Sequence, residues 1–136
     1  MSVYIEKVST DKTMYKPGEL VKATVTVTNS SSEAFSGKVV IIRKSFTLIG
    51  LEEETKLDEQ DVSISANSSI DVSITFSAHT DVIPVPTYYV KLLDANGNVI
   101  DVKTFYIGVE IDLLKSTVFG IPIISILLLL VAILLR

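Results

Sequence analysis

The chain contains no cysteine, no tryptophan and a single histidine among its 136 residues. Without cysteine there is no disulfide framework, no thiol nucleophile and no thiolate metal site. One imidazole excludes a His-rich metal centre and a two-histidine proton relay. Basic residues are also scarce: 12 Lys and Arg stand against 16 Asp and Glu, a net charge of −4. That balance argues against nucleic acid as a partner, because phosphate binding needs a basic face that displaces counterions. No nucleophile elbow, phosphate-binding loop, paired-carboxylate motif or dinucleotide fingerprint occurs. The expectation is a protein that is not an enzyme and carries no cofactor.

What the chain has in abundance is apolar surface, at 48% hydrophobic residues, and it is unevenly placed. Ser116–Leu135 is a run of 20 residues without a charge. As one continuous helix it would extend about 30 Å, the thickness of a bilayer core, and Lys115 and Arg136 bracket it where cationic side chains snorkel to headgroups. The composition therefore predicts a transmembrane helix over residues 116–136, a juxtamembrane linker over 111–115 and a lipid bilayer as partner. Lys115 and Arg136 are its membrane-interface residues. Pro122 either starts this helix or kinks it. Residues 1–112 hold all sixteen acids and ten of the bases, so the remainder is an acidic domain.

Residues 1–110 alternate with a period of two rather than 3.6. In Val21–Thr28 the residues Val21, Ala23, Val25 and Val27 point one way and Lys22, Thr24, Thr26 and Thr28 the other. Val3–Val8, Lys38–Arg43, Asp61–Ser65, Ile70–Phe76, Thr87–Leu93 and Val99–Ile107 complete about seven strands. Ala66–Ser69 reads as a hairpin turn, and Asn96–Gly97 supplies the positive φ of another. Glu52–Glu59 is the least strand-like section. This pattern predicts an all-β fold, an antiparallel immunoglobulin-like β-sandwich. The predicted core is Val21, Val25, Val27, Val40, Ile42, Ile70, Val72, Ile74, Phe76, Tyr89, Leu92 and Phe105, or the opposite parity where two apolar residues adjoin.

The segment Asp11-Lys-Thr-Met-Tyr-Lys-Pro-Gly-Glu-Leu-Val21, with the alternating strand that follows it to Asn29, resembles the start of extended immunoglobulin-like families. These include the macroglobulin-type and CARDB-like domains of archaeal surface proteins, and arrestin-type sandwiches. The Thr87–Asn98 hairpin is similar to the penultimate hairpin of the same group. The resemblance covers residues 1–109 and implies architecture, with no catalytic residues to carry over.

Four groups of residues are candidate sites. The acidic run Glu52, Glu53, Glu54, Asp58, Glu59 and Asp61 has the oxygens a Ca²⁺ ion wants. It lacks calcium-loop spacing and carries Lys56 within it, so it reads as a solvated segment. His79, with Ser77 and Asp81 two residues to either side, reads as an ordinary loop histidine. Asn29 and Asn67 each open an Asn-x-Ser triplet and are candidate glycosylation acceptors. Val39 and Ile41 lie in an apolar run that turns two residues each way, and they are candidates for a subunit contact, with other protein subunits or a second copy as partner.

Met1–Val8 has neither the basic nor the apolar region of a secretory leader. The combined expectation is a single-pass membrane-anchored structural or interaction protein of a cell envelope or virion. Its sandwich would be displayed outside, as a glycoprotein, and packed against neighbours. The alternatives are a cytosol-facing tail-anchored adaptor and an accessory subunit of a membrane complex.

Overall fold

The computed structural model describes residues 2–136. In chain order its elements are β1 (Val3–Thr10), β2 (Met14–Tyr15), β3 (Leu20–Asn29), β4 (Phe35–Phe46), β5 (Glu52–Ile64), β6 (Ser68–Ser77), β7 (Asp81–Ile83), β8 (Thr87–Asp94), β9 (Val99–Phe105), β10 (Gly108–Val109), β11 (Thr117–Val118), β12 (Ile121–Pro122) and α1 (Ile123–Leu134). Seven long strands form two sheets, ordered β1-β3-β6 and β5-β4-β8-β9. All long-strand pairings are antiparallel. The expected sandwich is therefore present, with two short sheets, β10-β2 and β12-β11-β7, added to it.

The strand parity follows from which side chains must leave water. β3 buries Val21, Ala23, Val25 and Val27 as its alternation requires. In β1 a bulge between Ile5 and Lys7 resets the parity, so Val3, Ile5 and then Val8 all face the core. Where two apolar residues adjoin, the second parity holds: Val39 and Ile41 enter the core in place of Val40 and Ile42, and Tyr88 in place of Tyr89. Phe76, Tyr88 and Phe105 close one end of the core, with ring centroids 5.3–6.2 Å apart.

Val39 and Ile41 are thus fully enclosed in the chain's own core and offer no surface to another subunit. The apolar run that suggested a contact has a simpler cause. Val40, on the outer face, is also buried, and its cross-strand neighbours are Glu59 and Lys91. The aliphatic stems of such side chains cover apolar surface while their charged ends stay wet.

The acidic stretch expected to be least strand-like is most of β5, an edge strand. Three of its carboxylates meet cations from neighbouring strands: Lys38 with Glu59 at 3.7 Å, Lys91 with Glu54 at 3.9 Å, and Lys44 with Glu52. A charged edge resists strand addition, which explains acids in a strand with no apolar alternation. Among the described residues no group of three or more His, Cys, Asp or Glu converges as a metal site.

Residues 65–67 do not make a hairpin. β5 and β6 belong to opposite sheets, so this segment is an arch across the sandwich that lets Val62 and Ile64 face Val72 and Ile74 in one core. The β8–β9 hairpin is as expected. Gly97 takes φ +85°, and Asp94 Oδ1 accepts the N–H groups of Asn96 and Asn98, both at 2.9 Å. A Cβ on Gly97 meets nothing within 4 Å. Gly97→Ala should therefore cost only the backbone strain, about 1 kcal/mol, read as a lower midpoint of urea unfolding at unchanged slope.

The C-terminal run is divided, and the expected transmembrane helix is absent. Ser116 is buried, Thr117–Val118 pairs in parallel with β7, and Phe119 (φ +50°) and Gly120 (φ +81°) turn the chain back into β12. Pro122 is the N-cap, so it starts α1 rather than kinking it. Only 12 residues remain for the helix, about 18 Å of rise against the roughly 30 Å of a bilayer core. No described helix is long and apolar enough to cross a membrane. That finding overturns the single-pass anchor, and with it the membrane placement of the domain and the interface roles given to Lys115 and Arg136. Those two residues do not bracket one continuous helix. The hairpin formed because Thr80 O and Ile83 O accept the N–H groups of Thr117 and Phe119 at 2.8 and 2.9 Å. Docking on a sheet edge outweighs helical continuity where a glycine in positive φ breaks the run.

Candidate ligand cleft at the end of the sandwich

β4 outlasts the core. Its inward parity, Val39 and Ile41, continues through Arg43 and Ser45, so the last inward side chains are polar. Arg43 is paired across the sheet with Tyr88 and Thr55, and Ser45 with Glu53. The β4–β5 turn Thr47–Gly50 folds over this end, held by Thr47 N–H to Leu51 O at 2.8 Å and by Gly50 in positive φ. From the other sheet, the chain leaving β6 brings His79 and Asp81, and the β11–β12 turn brings Phe119 and Gly120. Between them lies an open cleft of about 300 Å³, at the small end of the range for ligand pockets.

Asp81 organises the wall. Its Oδ1 accepts the Thr117 hydroxyl and the Gly120 N–H, the latter at 2.6 Å, and its Oδ2 lies 3.0 Å from His79 Nε2. Burial pushes the Asp81 carboxyl up, but the Thr117 and Gly120 hydrogen bonds and the His79 neighbour outweigh it and hold the group below its ordinary range. His79 is held below its ordinary value, first by burial and then by the Arg43 charge, against the pull of Asp81. A neutral imidazole therefore donates Nε2–H to the carboxylate. His79 and Asp81 do come together, as their spacing allowed. Ser77 ends β6 and makes no side-chain hydrogen bond to them; the hydroxyl that meets the pair is that of Thr117, which donates to Asp81 and so fastens the hairpin.

Arg43 has no ion-pair partner among the described residues, and its Nε is buried without a hydrogen bond. The Tyr88 hydroxyl, 2% exposed as a residue, sits beside the His79 backbone without reaching hydrogen-bond geometry. Burial pushes the phenol up, so it stays protonated. Sequence reasoning missed Arg43 because a lone arginine after Val-Val-Ile-Ile reads as a strand end. The signal available was its parity, which continues the inward face.

The two Asn-x-Ser triplets part company. Asn29 is fully buried. Its Nδ2 donates to Glu33 O at 2.8 Å and to Ile64 O and Ser65 O at 3.3 Å, and its Oδ1 accepts the Ser31 N–H at 3.0 Å and the Ser31 hydroxyl at 2.7 Å. The nitrogen a glycan would occupy is enclosed and already used, so the folded domain has no acceptor there. Asn67 is exposed on the β5–β6 arch at φ +53°, where its side chain is open to solvent.

No family model matches the chain. A cycloisomaltooligosaccharide glucanotransferase of Niallia circulans is 36% identical over 89 residues, 65% of this chain and 8% of that protein. The chain thus spans less than a tenth of the curated relative it matches. Among solved structures, a Paenibacillus sp. cycloisomaltooligosaccharide glucanotransferase complexed with cycloisomaltoheptaose superposes with a TM-score of 0.59 at 23% identity, over 83% of this chain and 15% of that one. The CARDB domain of a Pyrococcus furiosus protein, solved in complex with di-metal ions, gives 0.57 at 15% identity, over 80% and 86%. The shared fold is therefore an immunoglobulin-like β-sandwich, which a CARDB domain and a segment of a glucanotransferase also adopt.

Proposed function

We propose that the chain is a non-catalytic binding module that holds carbohydrate without transforming it. The observation that carries this reading is the 36% identity, over 89 residues, to a segment of a glucan-processing enzyme. The site chemistry supports it. The one His–Asp pair is spent on docking the β11–β12 hairpin, and the hydroxyl that meets it, that of Thr117, bonds the carboxylate and not the imidazole. The test is to incubate the full chain with linear and cyclic isomaltooligosaccharides, following binding by calorimetry and products by mass. Saturable binding with unchanged oligosaccharide masses is the expected result. Any turnover, or no binding across a glucan panel, overturns it.

A second surface supports the interaction role expected of the chain, at a different place from Val39 and Ile41. α1 buries none of its own residues, and Leu128, Leu129 and Leu134 are among its exposed side chains. An all-round apolar helix in water needs a partner, and we assign it to protein subunits, a second copy of the chain first. Leu128→Lys with Val131→Lys should convert a self-associated full chain to monomer in light scattering while its thermal unfolding is unchanged.

A further inference from the structure

We infer that the cleft between the β4–β5 turn and the β11–β12 hairpin is where that carbohydrate sits, taking one neutral sugar ring with Arg43 as its anchoring donor; this rests on the module being a binding one. Two observations independent of the comparisons lead there. The only buried side-chain polar atoms left without a hydrogen bond among the described residues are Arg43 Nε and Tyr88 Oη, and these two residues are directly paired across β4 and β8. Buried polar groups are almost always satisfied. Of the two, Arg43 lines the cleft and Tyr88 lies outside its lining, so the unsatisfied guanidinium marks a place where hydroxyl groups or water complete the structure.

The ligand class follows from the charge and the lining. An oxyanion needs a positive site, yet Glu53 and Asp81 line the cleft beside Arg43 and an imidazole held neutral. A hard cation needs several converging carboxylates, and no group of three or more potential ligands converges among the described residues. An apolar ligand would leave the Arg43 guanidinium unpaired. What remains is a neutral molecule with many hydroxyls, each able to donate to a carboxylate and accept from a guanidinium. The rings of Phe46 and Phe119 at the rim suit its C–H faces. The vicinal hydroxyl pair of a pyranose matches the fork of Arg43, which offers parallel donors in a fixed plane.

The test uses the full chain, with isomaltotriose, maltotriose, cellotriose and inorganic phosphate as probes, in calorimetry and in backbone amide NMR. Binding of one sugar should shift the amides of Thr47–Gly50 and Phe119–Gly120. Arg43→Gln should weaken it at least tenfold. Phe46→Ala, at the half-exposed end of β4 outside the core, should weaken it about fivefold without changing the melting temperature, and so separates binding from folding. Sugar binding that persists unchanged in both variants, or that shifts amides of the outer β4–β8 face instead, overturns the cleft and leaves the binding module standing. No sugar binding by the unaltered chain overturns both. Phosphate bound at the cleft in place of sugar overturns the neutral-ligand assignment.

Discussion

Asn29→Asp should remove a large share of the domain's stability at neutral pH. The substitution exchanges an amide nitrogen for an oxygen of the same size, so volume is not the issue. At position 29 that nitrogen donates to three carbonyls, from Glu33, Ile64 and Ser65. The introduced carboxylate meets those same oxygens as an acceptor, at a site with no exposed surface. An uncompensated buried charge of this kind costs about 4 kcal/mol, a large share of the 5–15 kcal/mol typical of a whole domain. The sign of the pH dependence is set by burial, which raises the pKa of the introduced acid above its unfolded value near ~3.9. A folded state that holds its proton more tightly gains stability as pH falls through that raised value. The deficit in urea unfolding should therefore be greatest at neutral pH and shrink on acidification. A deficit below 1 kcal/mol, or one that grows in acid, would refute the tie.

The Asn29 side chain joins the end of β3 to the β5–β6 arch, and so links the two sheets where the chain crosses between them. This is why the Asn-x-Ser triplet misled. A sequon and a structural Asx turn look alike in one dimension, since both place a Ser two residues after an Asn. Here Ser31 serves the second purpose, giving its N–H and hydroxyl to Asn29 Oδ1. The parity of β3, the seven long strands and the β8–β9 hairpin were legible because alternation and Asn-Gly chemistry are local. Strand partners were not. β5 and β6 have the sequence of a hairpin, yet both supply apolar residues to the same core from opposite sides, which requires different sheets. Tyr15 was also out of reach. It is almost fully buried from within a turn-rich segment, its hydroxyl donating to Asp11 at 2.6 Å and accepting the Lys12 N–H at 2.9 Å. No periodicity reports a single anchoring residue.

The C-terminal segment failed for a related reason. Hydropathy over residues 116–135 is uniform, and uniform apolarity does not reveal that Gly120 can take φ +81° or that a carboxylate waits in β7 to receive its N–H. The cleft was invisible on the same grounds, since its members come from four separate stretches of the chain.

Asp81→Ala should release that hairpin and leave the sandwich intact. The carboxylate holds three groups, the Thr117 hydroxyl, the Gly120 N–H and the His79 imidazole, two of them from the C-terminal turn. Hydrogen bonds to a charged group contribute about 1.5–3 kcal/mol each when partly shielded. Losing them, with the two backbone bonds from Thr117 and Phe119 still in place, should lower local stability by about 3 kcal/mol. Hydrogen exchange at Thr117, Phe119 and Gly120 should then quicken about a hundredfold, while amides of β3, β4 and β8 keep their protection. Acid should loosen the unaltered chain at the same place in two stages. His79 is held below its ordinary 6.5, so the unfolded segment takes a proton first and stability declines as pH falls from about 6.5 toward the folded value. Asp81 is held below 3.8, so its contribution persists to that pH and is lost as pH drops through the folded value. Asp81→Ala removes the second stage and His79→Gln the first. Exchange that rises evenly over the whole chain, or a hairpin that stays protected without Asp81, would show that the β11 pairing alone holds it. Because the hairpin carries Phe119 and Gly120, its release should also open one wall of the cleft, so sugar affinity should fall over the same pH interval in which these amides lose protection.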